Sequence, residues 1–184
     1  KARWRWSSTS VKINSKTTFI TGEYLKTFLK VEFNVKTENY VFGDNKSSIF
    51  SSSLIVKLKN NNNLTANYKL LSSAPNYNFL LHRSNYENYN WNNQFDNSIT
   101  NSISLGLELR EIIDLNVDLI SVRKHIQFEK IINDLADSSQ YSILPVQHNG
   151  NLDILKFRLA RKINFGKFSI DSKLLFQKSI SDDI

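Results

Sequence analysis

Apolar residues recur at every second position over long stretches of this chain, and they keep their parity. Tyr89, Trp91, Phe95, Ile99, Ile103, Leu105, Leu107 and Leu109 are all odd-numbered. Asn90, Asn92, Gln94, Asp96, Ser98, Thr100, Ser102, Ser104 and Glu108 hold even positions between them. Strict period two puts one set on each face of a β-strand. The same alternation predicts eight strands. Val11 to Thr21 carries Val11, Ile13 and Phe19 on one face, and Gly22-Glu23 is read as a turn. Leu25 to Lys36 sets Leu25, Leu29, Val31, Phe33 and Val35 against Lys26, Lys30, Glu32, Asn34 and Lys36. Phe50 to Lys59 ends in Asn60-Asn61-Asn62-Asn63, a tight-turn signal because Asn tolerates positive φ. Leu64 to Leu71 follows, then the Tyr89 to Leu109 run. Unbroken, that run would be about 70 Å long, far beyond the 9–11 residues a membrane strand needs, so its aromatic half is expected to project beyond a bilayer. Ile113 to Leu119, Asn151 to Lys162 and a strand from Phe168 through Phe176 complete the set.

Connection lengths sort as well. Short turns are expected near 22, 60–63, 110–112 and 164–167, and long loops near 37–49, 73–88 and 125–150. Outer-membrane barrels have short periplasmic turns and longer extracellular loops, whereas a Greek-key sandwich has no reason to sort its loops in this way. The fold class expected is therefore all-β: an antiparallel, up-and-down transmembrane β-barrel with about eight strands in this chain. Residues 1–184 read as a single barrel domain or a fragment of one.

Composition agrees with this. No apolar run approaches the roughly 20 residues of a membrane-spanning helix. A mean hydropathy of −0.37 is compatible with a barrel, which dilutes its apolar half with polar lumen residues. The chain has neither Met nor a leader pattern, which reads as a mature or partial chain. Cysteine is absent, which removes disulfides, thiol chemistry and most zinc sites.

The net charge of +7 suits an acidic partner, either nucleic acid or an anionic lipid surface. Arg3-Trp4-Arg5-Trp6 interleaves basic and aromatic residues as a stacking platform for single strands would, and equally as an interfacial anchor would. The basic residues are spread over many strands and no nucleic-acid motif occurs, so nucleic acid is set aside as a partner. Trp4, Trp6, Tyr68, Tyr89, Trp91 and Phe168 are the candidate aromatic belt at the membrane interfaces.

The candidate pore-lining residues lie on the polar faces: Lys30, Glu32, Lys57, Lys69, Glu108, Lys156, Arg158, Asp171 and Lys173. With Lys36, Lys59, Arg110, Lys162, Asp114 and Asp118, basic residues outnumber acidic ones there. A water-filled channel so lined would favour anions. The plainer reading is that these charges avoid lipid and pair with one another. Catalysis has little support, since there is no GxSxG elbow, no HExxH and no phosphate-binding Gly loop. His82, His125 and His148 fall in loops or strand ends, and His125 near Asp118 is the one pairing that resembles a rim hydrolase. No cofactor and no metal are implied.

Several segments resemble a known family. They are YENYNWNNQF (Tyr86 to Phe95), Pro145-Val146-Gln147, LARKINFGKF (Leu159 to Phe168), Leu175-Phe176-Gln177 and the opening Ala2-Arg3-Trp4-Arg5-Trp6. They are similar, in the same order, to the putative porin family of the Bacteroidota. The resemblance implies an outer-membrane β-barrel in a Gram-negative envelope, of which this chain is a part, and it transfers no binding or catalytic residue. The function expected is a passive diffusion pore for small hydrophilic solutes with weak anion preference. The alternatives are a non-conducting structural subunit of a larger envelope assembly and a surface β-sandwich adhesin. The partners expected are outer-membrane lipid, including lipopolysaccharide, and other outer-membrane or surface proteins reached through the long loops. Loop 129–150, with Phe128, Ile131, Ile132, Leu135 and Tyr141, would make such a contact or fold into the lumen.

Overall fold

A computed structural model describes residues 2–13, 15–42, 47–84, 89–109, 112–132 and 141–180, with the backbone alone for 2–13, 15–19 and 41–42. Nine strands form one antiparallel sheet in which every neighbour pairs with the next in the main-chain order. They are β1 (Ala2–Ile13), β2 (Ser15–Phe28), β3 (Val31–Phe42), β4 (Ser48–Lys57) and β5 (Asn63–Ser73). After an excursion come β8 (Ser98–Leu109) and β9 (Ile113–Arg123), and after a second come β12 (Asn151–Phe165) and β13 (Phe168–Ser179). This is the expected all-β, up-and-down sheet, open here along β1 and β13. No helix among the described residues is long and apolar enough to cross a membrane.

The strand count differs from the expected eight because the first two predicted strands straddle real reversals. The chain turns between Ile13 and Ser15, and again at Leu29-Lys30, while Gly22 lies mid-strand between Trp6 and Thr37. Leu29 holds a positive φ of 51°. That turn places Lys30 at the sheet's end rather than on its face. It also puts Leu25 in register with Asn34, and Lys26 with Phe33. The predicted Tyr89 to Leu109 strand is broken too. Only Ser98–Leu109 belongs to the sheet, because Trp91–Asn92 leaves it as the short strand β7.

The turns that were legible form as expected. Asn60 and Asn61 both adopt left-handed φ (60° and 55°), and Leu58 N donates to Asn62 O at 2.8 Å. Gly166, with φ of 57°, carries the chain from β12 into β13. The connections at 29–30, 58–62, 110–112 and 166–167 lie at one end of the sheet. The long ones, 74–97 and 124–150, lie at the other, together with the shorter β1–β2 and β3–β4 connections. The expected loop at 37–49 shrinks to 43–47, because β3 and β4 extend into it.

Register joins like with like across the sheet. The row Val31, Val56, Leu64, Leu107, Leu115, Leu159, Leu174 is wholly apolar, and so is Phe33, Leu54, Ala66, Leu105, Val117, Phe157, Phe176. No hydrophobic side chain is buried among the described residues, and Leu105, Leu174 and Phe176 are each more than half exposed. A sheet with a largely apolar face, broken among the described residues by Lys26 and Arg161 between its apolar positions, and nothing packed on it needs an apolar medium. Each such Leu, Val or Phe gains about 1.5–3 kcal/mol from leaving water.

This apolar band runs diagonally to the rows. At the level of Phe50 and Leu70 the row continues as Asn101, Ser121 and Asp153, so the band has moved away on the later strands. At its other border, Leu159 lies level with Val56, yet Ile163 and Phe165 continue the apolar face past it, with Arg161 between them and Leu159. Strands tilted about 40° and spaced about 4.8 Å should shift the band by about 1.2 residues per strand. Over the five steps from β4 to β13 this amounts to about six residues. On β13, Phe168 lies six residues beyond Leu174, the residue level with Val56.

Candidate functional site

The other face of the sheet is polar, and three of its rows carry most of the chemistry. One runs Glu23, Lys36, Ser51, Lys69, Ser102. The next runs Asn34, Ser53, Asn67, Ser104, Asp118, Lys156, Gln177. Nearer the short turns come Lys57, Asn63, Glu108, Asp114, Ala160 and Lys173. Register thus puts Glu32, Lys57, Lys69, Glu108, Lys156, Arg158, Asp171 and Lys173 on this one face, with Lys30 in the turn below it. Arg110 lies outside the described residues. Glu23 and Glu38 join the same face, although the sequence reading omitted them. With them, the acidic residues nearly match the basic ones.

Several of these charges are paired. Lys57 Nζ meets Glu32 Oε1 at 2.5 Å, Arg158 Nη2 meets Asp114 Oδ2 at 3.2 Å, and Lys36 lies 3.8 Å from Glu38. Asn34 donates to Glu23 at 3.4 Å and Asn63 to Glu108 at 3.0 Å. These exposed pairs are each worth about 0–1 kcal/mol, so they order the face more than they stabilise it. In the amide orientation its neighbours require, Asn116 donates to Leu105 O and accepts from Arg158 Nη2, both at 2.9 Å. Thr65 and Asn116 crowd Gly106 between them, leaving no room there for a side chain. Lys69, Lys156 and Lys173 form no ion pair among the described residues.

The candidate belt divides. Tyr68 lies on the apolar face, edge-on to Phe50 with centroids 6.2 Å apart. Phe168, 77 % exposed, lies beside the β12–β13 turn opposite Phe165. Trp4 and Trp6 fall in β1 across from Tyr24 and Gly22, and their side chains lie outside the described ones. Tyr89 and Trp91 belong to the long-loop end, away from the sheet.

That end carries a layer of its own. A single helical turn, α1 (Tyr77–Leu80), leads into β6 (Leu81–His82), which pairs with β7 (Trp91–Asn92). The second excursion folds as a hairpin, β10 (Ile126–Ile132) with β11 (Tyr141–Gln147), where the sequence reading saw only loop. Leu135 lies outside the described residues. Phe128 joins the two excursions, 5.5 Å from Phe79 and 5.6 Å from Trp91, whose other neighbour is the stacked ring of His82. Gln147 fastens the hairpin's base. It accepts from Asp96 N at 3.0 Å and donates to Asp96 O and Lys124 O at 2.8 and 3.0 Å. Lys124 Nζ pairs with Asp96 at 2.6 Å.

His125 and His148 stack at this base, with centroids 5.0 Å apart and planes at 14°. His148 Nε2 meets Glu129 Oε1 at 2.7 Å, and Gln127 donates to the same oxygen at 3.0 Å. Both nitrogens of His125 are covered and have no hydrogen-bond partner. Loss of water and the neighbouring His148 lower its pKa, against a smaller opposing pull from Glu129. Glu129 lies below the usual carboxylate range, chiefly through the Gln127 hydrogen bond and with help from His148. The pairing of His125 with Asp118 does not form: Asp118 sits mid-sheet, opposite Ser104 and Lys156. Among the described residues no group of His, Asp and Glu is arranged to hold a metal ion.

A two-faced, up-and-down antiparallel sheet with both its long loops at one end fits part of the wall of a β-barrel. The chain belongs to the putative porin family, whose model matches residues 3–184. No curated protein and no solved structure matches it.

Proposed function

We propose that this chain forms part of the wall of an outer-membrane pore through which small hydrophilic solutes diffuse passively. The diagonal apolar band carries the reading, because a band that follows strand tilt is what a barrel in a bilayer requires and a soluble sheet does not. Lipid, including lipopolysaccharide in the outer leaflet, covers that face. Backbone groups cannot be left bare in hydrocarbon, so the edges at β1 and β13 must be paired, with each other or with further strands, to close the barrel. The polar face then lines water. Its charges are nearly balanced, so the ion preference is weak, and the net charge of +7 on the chain inclines it to anions. No cofactor enters this function, and the long-loop layer faces the exterior, where other surface proteins meet it.

Planar-bilayer recording of the full-length protein tests this. Steady open steps, with a small reversal potential of anion-selective sign under a KCl gradient, are expected. A correctly inserted barrel that conducts nothing would replace the pore with the second reading, a structural subunit of a larger envelope assembly.

A further inference from the structure

The base of the β10–β11 hairpin holds an arrangement that transport does not use. His125 ends the connection from β9, and His148 follows β11 directly. Their backbones close the hairpin, His148 N donating to His125 O at 2.9 Å. Their rings stack. Glu129 accompanies His148, so one imidazolium has a counter-ion here. His125 has no hydrogen-bond partner: its nitrogens are covered, its ring stacks on His148, and the pull of Glu129 is the smallest of the influences on it. A proton placed on His125 therefore finds no hydrogen-bond partner in the closed base.

Each histidine is also next in sequence to a fastening of the loop layer, Lys124 on one side and Gln147 on the other. Those two residues tie the hairpin to Asp96, where the first excursion re-enters the sheet. Whatever parts the histidines pulls on that clamp. We propose that the hairpin base is a proton-operated latch for the loop layer, closed while His125 is neutral and released when His125 takes up a proton.

The sign follows from linkage. In the closed state His125 resists protonation, whereas in the open state it titrates near the ordinary 6.5. The latch is thus at full strength above about pH 6.5 and weakens as pH falls below it. The Glu129 pairing is lost only further down, below the ordinary carboxylate range.

Hydrogen exchange on the full-length protein in lipid, corrected for the intrinsic effect of pH, reads the latch whether or not the protein conducts. Between pH 7.5 and pH 5.0, protection across residues 126–132 and 141–147 should fall by up to about thirtyfold, the limit set by an open-state pKa near 6.5. Protection in β8 and β9 should hold. His125→Phe fills the same space without a proton site and should abolish the response. His148→Phe removes the other half of the repulsion and should blunt it, which keeps the test open if the first variant misfolds. Equal protection at both pH values, or an undiminished response in both variants, would overturn the proposal.

Discussion

Arginine in place of Val117 should destabilise the inserted sheet by about 2–4 kcal/mol, the cost of a cation near the midplane on the lipid side of a barrel. Val117 stands between Leu105 and Phe157 in the middle of an apolar row, with no acidic residue in that row to meet the charge. Arginine in place of the adjacent-strand Ser104 should change stability by less than about 1 kcal/mol. Ser104 points to the polar face, across from Asn67 and Asp118. Urea titration of the full-length protein in lipid vesicles measures both. The contrast matters more than either value, because the two sites lie on paired strands and differ chiefly in the face they occupy.

Lys69→Glu should reverse the ion preference of the pore. Lys69 sits between Ser51 and Ser102 on the polar face, with no ion-pair partner among the described residues. Around it are hydroxyls and amides, Ser53, Asn67 and Ser104 on the neighbouring row. Its charge is therefore uncompensated, and in a nearly balanced wall a change of two charges decides the sign of the local field. The reversal potential under a KCl gradient should move from anion-selective to cation-selective. Lys130→Glu makes the same change on the outer hairpin, far from the wall, and should leave the sign alone. A Lys69→Glu pore with wild-type selectivity would place the polar face away from the permeation path.

Both predictions rest on faces that were legible in the sequence, and the reason is physical. From Ile99 to Phe176 the strands keep period two with few exceptions, Arg161 and Leu175 among them, so parity assigns the face. Asn60-Asn61 and Gly166 announced their turns because few residues tolerate left-handed backbone. The first third was misread for the same kind of reason. Leu29 is apolar and odd-numbered, so it disguised the β2–β3 turn as more strand and carried the wrong parity onto Leu25. Gly22 looked like a turn, yet it sits inside a strand, where a glycine allows close approach.

Other features had no local signal at all. Trp91 and Phe95 extend the odd-numbered run by coincidence, since Trp91 packs on His82 and Phe128 instead. His125 and His148 meet only because a hairpin folds between them, a long-range pairing that no spacing reveals. Read singly, each was a solvated loop histidine. The polar face also looked more basic from sequence than it is, because Lys30 belongs to a turn while Glu23 and Glu38 belong to the wall.

The central claim is that odd-numbered residues of β8 face lipid and even-numbered ones face water. This chain has no cysteine, so single cysteines can be introduced on a clean background. Ile103→Cys, Leu105→Cys and Leu107→Cys would be compared with Ser102→Cys, Ser104→Cys and Glu108→Cys in the full-length protein, reconstituted in vesicles. A charged, membrane-impermeant thiol reagent should modify the even set to completion and leave the odd set unreacted over the same time. Equal modification of both sets, or preferential modification of the odd one, would contradict the account.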